Sequence, residues 1–115
     1  MTVYEWESVK RERMNPQFVR QVIHGEKMTV ARINLSAGAV VPEHSHSNEQ
    51  ITMLQEGKLR FVLSGEERIL AAGEILHIPS NAPHSVEALA DSVAIDLFSP
   101  VREDWIRGDD AYLRR

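Results

Sequence analysis

Cysteine is absent from the 115 residues, which removes disulfides, thiolate nucleophiles and sulfur ligands together. Any coordination must then come from imidazole, carboxylate or amide. A surplus of charge of one sign is also missing. The formal net charge is −4 and the only basic run is Arg114-Arg115, so there is no electrostatic footprint for nucleic acid or a membrane surface. Nor is there an apolar run long enough to span a bilayer, and Met1-Thr2-Val3-Tyr4-Glu5-Trp6-Glu7 lacks the charged and apolar regions of a signal peptide. The expectation is a cytoplasmic protein with neither nucleic-acid nor membrane partners. Internal repeats, low-complexity tracts and linkers are missing too, so residues 1–115 read as one domain. A chain of this size often gains stability by pairing, and a homodimer is expected.

What the chain does have is closely spaced turn signals: Asn15-Pro16, Gly25, Ser36-Ala37-Gly38, Gly57, Ser64-Gly65, Gly73, Pro79, Asn81-Ala82-Pro83 and Ser99-Pro100. Between them lie β-type runs from Phe18 to His24, Met28 to Leu35, Ile51 to Gln55, Leu59 to Leu63, Ile69 to Ala71, Ile75 to Ile78, Ser85 to Leu89 and Val93 to Phe98. Many short antiparallel strands predict an all-β sandwich or barrel. Leu59, Phe61 and Leu63 alternate with Lys58, Arg60 and Val62 to give an inward stripe, and Ser64-Gly65-Glu66 is a hairpin turn. One helix is expected, capped by Ser99 with Pro100 at its first position, running to Arg107 and stopping at Gly108, with Val101, Trp105 or Ile106 against the barrel. The first fifteen residues are open between strand and helix, and an exchanged N-terminal arm is left open with them.

Chemistry concentrates at His44-Ser45-His46 and His84. Imidazoles two positions apart on a strand point to one face and can grip a single metal ion while a third arrives from elsewhere. Around them Gly38, His44, His46, Gln50 and Gly57, then Gly73, Pro79, Asn81 and His84, fall in order. This resembles the two-motif signature of the cupin superfamily, G-x5-H-x-H-x3-E-x6-G followed by G-x5-P-x-G-x2-H-x3-N. There are three departures: Gln50 for glutamate, Asn81 for glycine and Ala88 for asparagine. Asparagine also accepts left-handed backbone angles. Glu49 would offer a carboxylate, but Gln50 keeps the motif spacing and the parity of His44 and His46, whereas a one-residue shift turns a side chain to the other face.

The resemblance covers about residues 30–98. It implies a double-stranded β-helix of jelly-roll type with a short C-terminal helix: an N-terminal arm over 1–17, a barrel over about 18–98 and a helix and tail over 99–115. It also implies a divalent ion in the mouth, held by His44, His46, Gln50 and His84, with nickel, zinc, manganese, iron and cobalt all compatible. Neutral ligands leave the ion its full double charge, so it should act as a Lewis acid toward an oxygen-rich, anionic small molecule.

The second informative stretch is Val93 to Trp105. Alternation puts Val93, Ile95 and Leu97 on one face and Ala94, Asp96 and Phe98 on the other. A carboxylate in an apolar strand is costly to bury unless paired or hydrated. Asp96 is thus either a general acid or base in the lumen or the partner of Arg102 in an ion pair holding the helix, and the residues alone weigh the two equally. Asp-x-Phe-Ser-Pro-x-Arg-Glu-Asp-Trp, with Asp110-Ala111-Tyr112-Leu113-Arg114 beyond it, is similar to the C-terminal segment of the KdgF-type pectin-degradation cupins. Their metal motif also carries glutamine in place of glutamate. That resemblance implies ring opening and ketonisation of 4,5-unsaturated uronates. Arg102 would clamp the carboxylate, Asp96 would move a proton and Phe98 would stack the sugar ring. The alternatives are a cupin dioxygenase and a cupin that binds a small molecule without turnover. His24 and His77 read as structural, Trp6, Trp105 and Tyr112 as packing or dimer contacts, the charge runs other than Arg102 as solvated, and Thr52 and Leu54 as pocket lining.

Overall fold

A computed structural model describes residues 1–115. After a 3-10 turn at Trp6–Ser8 come ten strands: β1 (Glu12–Asn15), β2 (Phe18–His24), β3 (Thr29–Leu35), β4 (Val40–His44), β5 (Glu49–Glu56), β6 (Lys58–Leu63), β7 (Glu66–Ala71), β8 (Ile75–Ile78), β9 (His84–Ala88) and β10 (Ser92–Ser99). Helix α1 (Glu103–Ile106) and a 3-10 turn at Ala111–Leu113 close the chain. The strands form a six-stranded sheet, β1-β2-β3-β10-β5-β8, and a four-stranded sheet, β4-β9-β6-β7, with antiparallel pairing throughout. Together they make the double-stranded β-helix. No helix is long and apolar enough to cross a membrane.

Register stacks the inner side chains of the larger sheet in rows. Thr29, Phe98, Gln50 and Ile78 lie across β3, β10, β5 and β8 at the mouth, Ala31, Asp96, Thr52 and Leu76 lie one row deeper, and Ile33, Ala94 and Leu54 follow. The smaller sheet answers with Leu63, His84 and His44 at the mouth and Phe61 and Val86 beneath them. The deep rows are apolar and buried, with Ile33, Leu35, Leu54, Leu59 and Phe61 in one cluster that also takes in Phe18 and Trp105. Burying such side chains stabilises the fold by roughly 1.5–3 kcal/mol each before entropy is charged. The inward stripe of β6 is as expected for Leu59 and Phe61, while Leu63 is half-buried.

Two turns carry positive φ for a reason. Gly57 (φ +91°) passes so close to the start of β10 that an added Cβ would sit 2.2 Å from Ser92 Oγ. Asn81 adopts φ 64°, the left-handed angle asparagine tolerates, and its N–H donates to the His46 carbonyl at 2.8 Å.

The C-terminal helix is shorter than its capping signals suggest. Ser99 is not an N-cap: it ends β10, paired with Glu49 of β5. The chain then crosses Pro100 and Val101 while the Arg102 N–H is taken by Thr29 Oγ1 at 3.0 Å, so helical geometry begins only at Glu103. Trp105 is buried against the core, whereas Ile106 is exposed. The N-terminal ambiguity resolves into a 3-10 turn followed by β1, which pairs with β2 of its own chain.

Candidate metal centre

His44, His46 and His84 converge at the mouth. Their potential ligand atoms all lie within 4.8 Å of one another, close to the roughly 4 Å between opposed ligands on one ion. Three backbone devices bring them there. His84 opens β9. His44 reaches the lumen because the β4–β9 register slips between Val41 and His44, a bulge that re-aims the strand end. His46 lies beyond β4, in the loop tied down by Asn81, so strand parity does not account for its direction.

Each ring is oriented through Nδ1: His44 to the Pro42 carbonyl at 2.8 Å, His46 to Asn48 O at 3.0 Å and His84 to Ala82 O at 2.9 Å. A carbonyl only accepts, so the proton sits on Nδ1 in each ring and Nε2 is the bare nitrogen. Burial, helped by the neighbouring positive groups, pushes His44 and His46 down to about 4, and His84 is lowered by burial as well. The imidazoles are therefore neutral at physiological pH, the state a metal ligand requires.

Gln50 faces the triad. Its amide orientation is fixed by Thr52: Nε2 donates to Thr52 Oγ1 at 2.9 Å, and the Thr52 hydroxyl donates to Asp96 Oδ1 at 2.7 Å. This chain leaves Gln50 Oε1 facing His46 Nε2 at 3.1 Å. Two acceptors at that distance have no proton to share, given the His46 tautomer, and His84 Nε2 is buried with no partner. Converging lone pairs of this kind are satisfied by a cation, and the donor set fits a divalent transition metal. Glu49 points to the outer surface, where it pairs with His77 at 2.7 Å.

Asp96 lies one row below Gln50 and lines the cavity. Burial raises its carboxyl to about 6, against the lowering effects of the Thr52 hydrogen bond and the Arg102 charge. Arg102 does not pair with Asp96. Its guanidinium forks onto Asp104, Nε to Oδ1 at 3.0 Å and Nη2 to Oδ2 at 2.7 Å, and is almost wholly buried. It lies 4.6 Å from the Phe98 ring centroid and 4.1 Å from that of Trp105. The face of Phe98 that the sequence reading offered to a sugar ring thus carries a guanidinium. Arg20 stacks on Trp105 as well, at 4.5 Å.

Tyr112, read from sequence as a packing residue, lines the same cavity with its ring centroid 4.8 Å from that of His44. Thr52 lines it too, but Leu54 belongs to the buried core below. His24 meets Thr29 Oγ1 at 2.9 Å, away from the triad. Asn48 was not singled out by any motif, yet its carbonyl orients His46 and its amide donates to Val101 O at 3.2 Å, linking the metal loop to the segment that carries Arg102.

The cupin domain family matches residues 31–98. The pectin degradation protein KdgF of Dickeya dadantii (strain 3937) is 31% identical over 98 residues, spanning 83% of this chain and 89% of that protein. The structure of KdgF from Halomonas sp. superposes with a TM-score of 0.85 at 29% identity, covering 91% of this chain and 98% of the other. An RmlC-like cupin from Shewanella frigidimarina NCIMB 400 also reaches a TM-score of 0.85, at 24% identity over 91% of this chain and 96% of its own, a likeness of fold.

Proposed function

The chain belongs to the cupin family, and on that premise we propose that it is a metal-dependent enzyme of sugar-acid breakdown that opens and ketonises a 4,5-unsaturated uronate. The observation that carries this reading is the bonded chain Gln50–Thr52–Asp96, which ties a buried carboxylate, raised to about 6 by that burial, to the amide that faces the histidine triad. The similarity to KdgF, a protein named for pectin degradation, supports the substrate class.

His44, His46, Gln50 and His84 would hold one divalent ion, which supplies a Lewis acid for the oxygens of the substrate. Asp96, as base, takes the proton of the anomeric hydroxyl. The bond from that carbon to the ring oxygen breaks, its electrons staying on oxygen as an enolate, and the proton is returned to the carbon at position 4. The ring opens to an aldehyde and a ketone, an isomerisation that needs no redox partner. A carboxyl titrating near neutrality is suited to both transfers, and general acid–base catalysis of this kind contributes roughly 10²–10⁴-fold. Arg102, which is paired with Asp104 and lines the cavity, would attract the uronate carboxylate.

We also propose a homodimer built on the outer face of the larger sheet. Val30, Ile51, Met53, Ile75 and Leu97 share that face, with Ile51 37% and Ile75 65% exposed. Arg32 Nε and Asn34 Nδ2, on the same face, are buried without partners. An apolar patch with unspent donors at its side suits a two-fold interface.

The test is the decay of ultraviolet absorbance of a 4,5-unsaturated galacturonate monomer. Metal-loaded protein should accelerate it over the spontaneous reaction, and chelator-treated protein should not. No acceleration by protein with metal verified in place would overturn the reading, and oxygen uptake would then separate a dioxygenase from a binding protein.

A further inference from the structure

Tyr112 carries a hydrogen-bonding capacity that the fold does not use. Its phenolic oxygen accepts from Arg102 Nη2 at 2.7 Å and from Trp105 Nε1 at 3.4 Å. With both acceptor positions occupied, the phenol's own proton remains to be donated, and it goes to no protein group. Accepting from a guanidinium polarises the O–H bond and makes it a stronger donor.

The ring is held where that donor is useful. It lies 4.8 Å from His44, centroid to centroid, and lines the cavity together with Asp96 and Gln50. The tail that carries it is fastened on both sides: Arg20 binds Asp110 at 2.9 Å in a buried ion pair, Asn15 Nδ2 donates to Leu113 O at 3.3 Å, and Leu113 is buried in the core. A residue needed only to cover the core would not require this double anchorage of a polar ring next to a metal ligand.

We propose that Tyr112 is a substrate-binding residue that donates its phenolic proton to the same anionic group that Arg102 holds, so that guanidinium and phenol form one anion site beside the metal centre. The inference rests on the uronate reading above and adds the group that separates a uronate from its neutral sugar. A carboxylate can accept from the phenol and from Arg102 Nη1, the guanidinium nitrogen that bonds neither Asp104 nor Tyr112, whereas a hydroxymethyl group brings no negative charge to either.

The test uses the metal-loaded full chain, D-galacturonate and D-galactose as probes, and the Tyr112→Phe variant, which keeps the ring against His44 and removes only the hydroxyl. Calorimetric titration should show the variant's Kd for galacturonate raised about tenfold or more, the worth of a hydrogen bond to a charged group, with galactose binding and metal affinity unchanged, while Tm falls because Arg102 Nη2 and Trp105 Nε1 lose their acceptor. Equal weakening toward both sugars, or none toward galacturonate, would overturn the assignment. If unaltered protein prefers galacturonate and the variant keeps that preference, Tyr112 is excluded while the uronate reading stands. If unaltered protein shows no preference, both fall.

Discussion

Near the mouth, the two faces of β5 and β10 in the six-stranded sheet reverse the usual order of a half-exposed sheet. Along β5 and β10 the inward residues near the mouth are Gln50, Thr52, Asp96 and Phe98, while the outward residues between them are Ile51, Met53, Ile95 and Leu97. Alternation normally sends apolar side chains in and polar ones out. Here the polar row is inside because every member has a partner or awaits one: Gln50 bonds Thr52, Thr52 bonds Asp96, and Gln50 Oε1 meets His46. The apolar row is outside and only partly covered. Under the proposed function and the proposed homodimer, one strand pair would serve chemistry on its inner face and association on its outer face, and the two should fail independently.

The sharpest way to break that independence is at the metal. His84→Ala removes a buried imidazole whose Nε2 has no protein partner and which is proposed to hold the ion, so bound metal, read by elemental analysis of purified protein, should fall below stoichiometric levels and turnover should vanish. The sedimentation behaviour should not change. A variant that lost metal and also dissociated would join the two faces that the comparison separates.

A milder inner change tests the bonded chain. Thr52→Val keeps shape but frees the Gln50 amide to turn, and should cost about 10–100-fold in metal affinity by competition titration, with Thr52→Ser restoring most of it. On the outer face, Ile75→Lys should shift the protein toward monomer in sedimentation, with metal affinity within about twofold of the original. The smallest effect expected is on acid stability without metal. His44, His46 and His84 are lowered from the unfolded 6.5, so the unfolded chain binds the extra protons and their stabilising contribution is lost as pH falls below about 6.5, for His44 and His46 down to about 4. Asp96, raised to about 6, works in the opposite sense over about pH 4 to 6 and offsets part of the loss. Thermal melts of chelated protein should therefore fall over that range, and loaded protein should resist because metal competes with protons.

Much of the fold was legible in the sequence because it depends on period and spacing. Turn residues at short intervals marked the strands, and the order Gly38, His44, His46, Gln50, Gly57 carried the cupin resemblance. Parity also separated Gln50 from Glu49, which the structure turns to opposite faces. What was not legible depends on long-range contact. The bulge that aims His44 is a property of pairing with β9, and the Asn48 carbonyl that orients His46 has no signature in residue type. The early half of the expected helix was lost to β10 and to the Thr29 hydroxyl, tertiary partners that overrode good capping residues. Tyr112 looked like packing because only the fold brings the tail across the mouth.

The most direct test of the account is the turnover of 4,5-unsaturated galacturonate by Asp96→Asn, with metal content measured in the same sample. The account predicts a full complement of metal and a kcat lowered about 10²–10⁴-fold, because the inner row keeps its shape and loses only its proton carrier. Undiminished turnover with metal retained would contradict it and remove Asp96 from the chemistry.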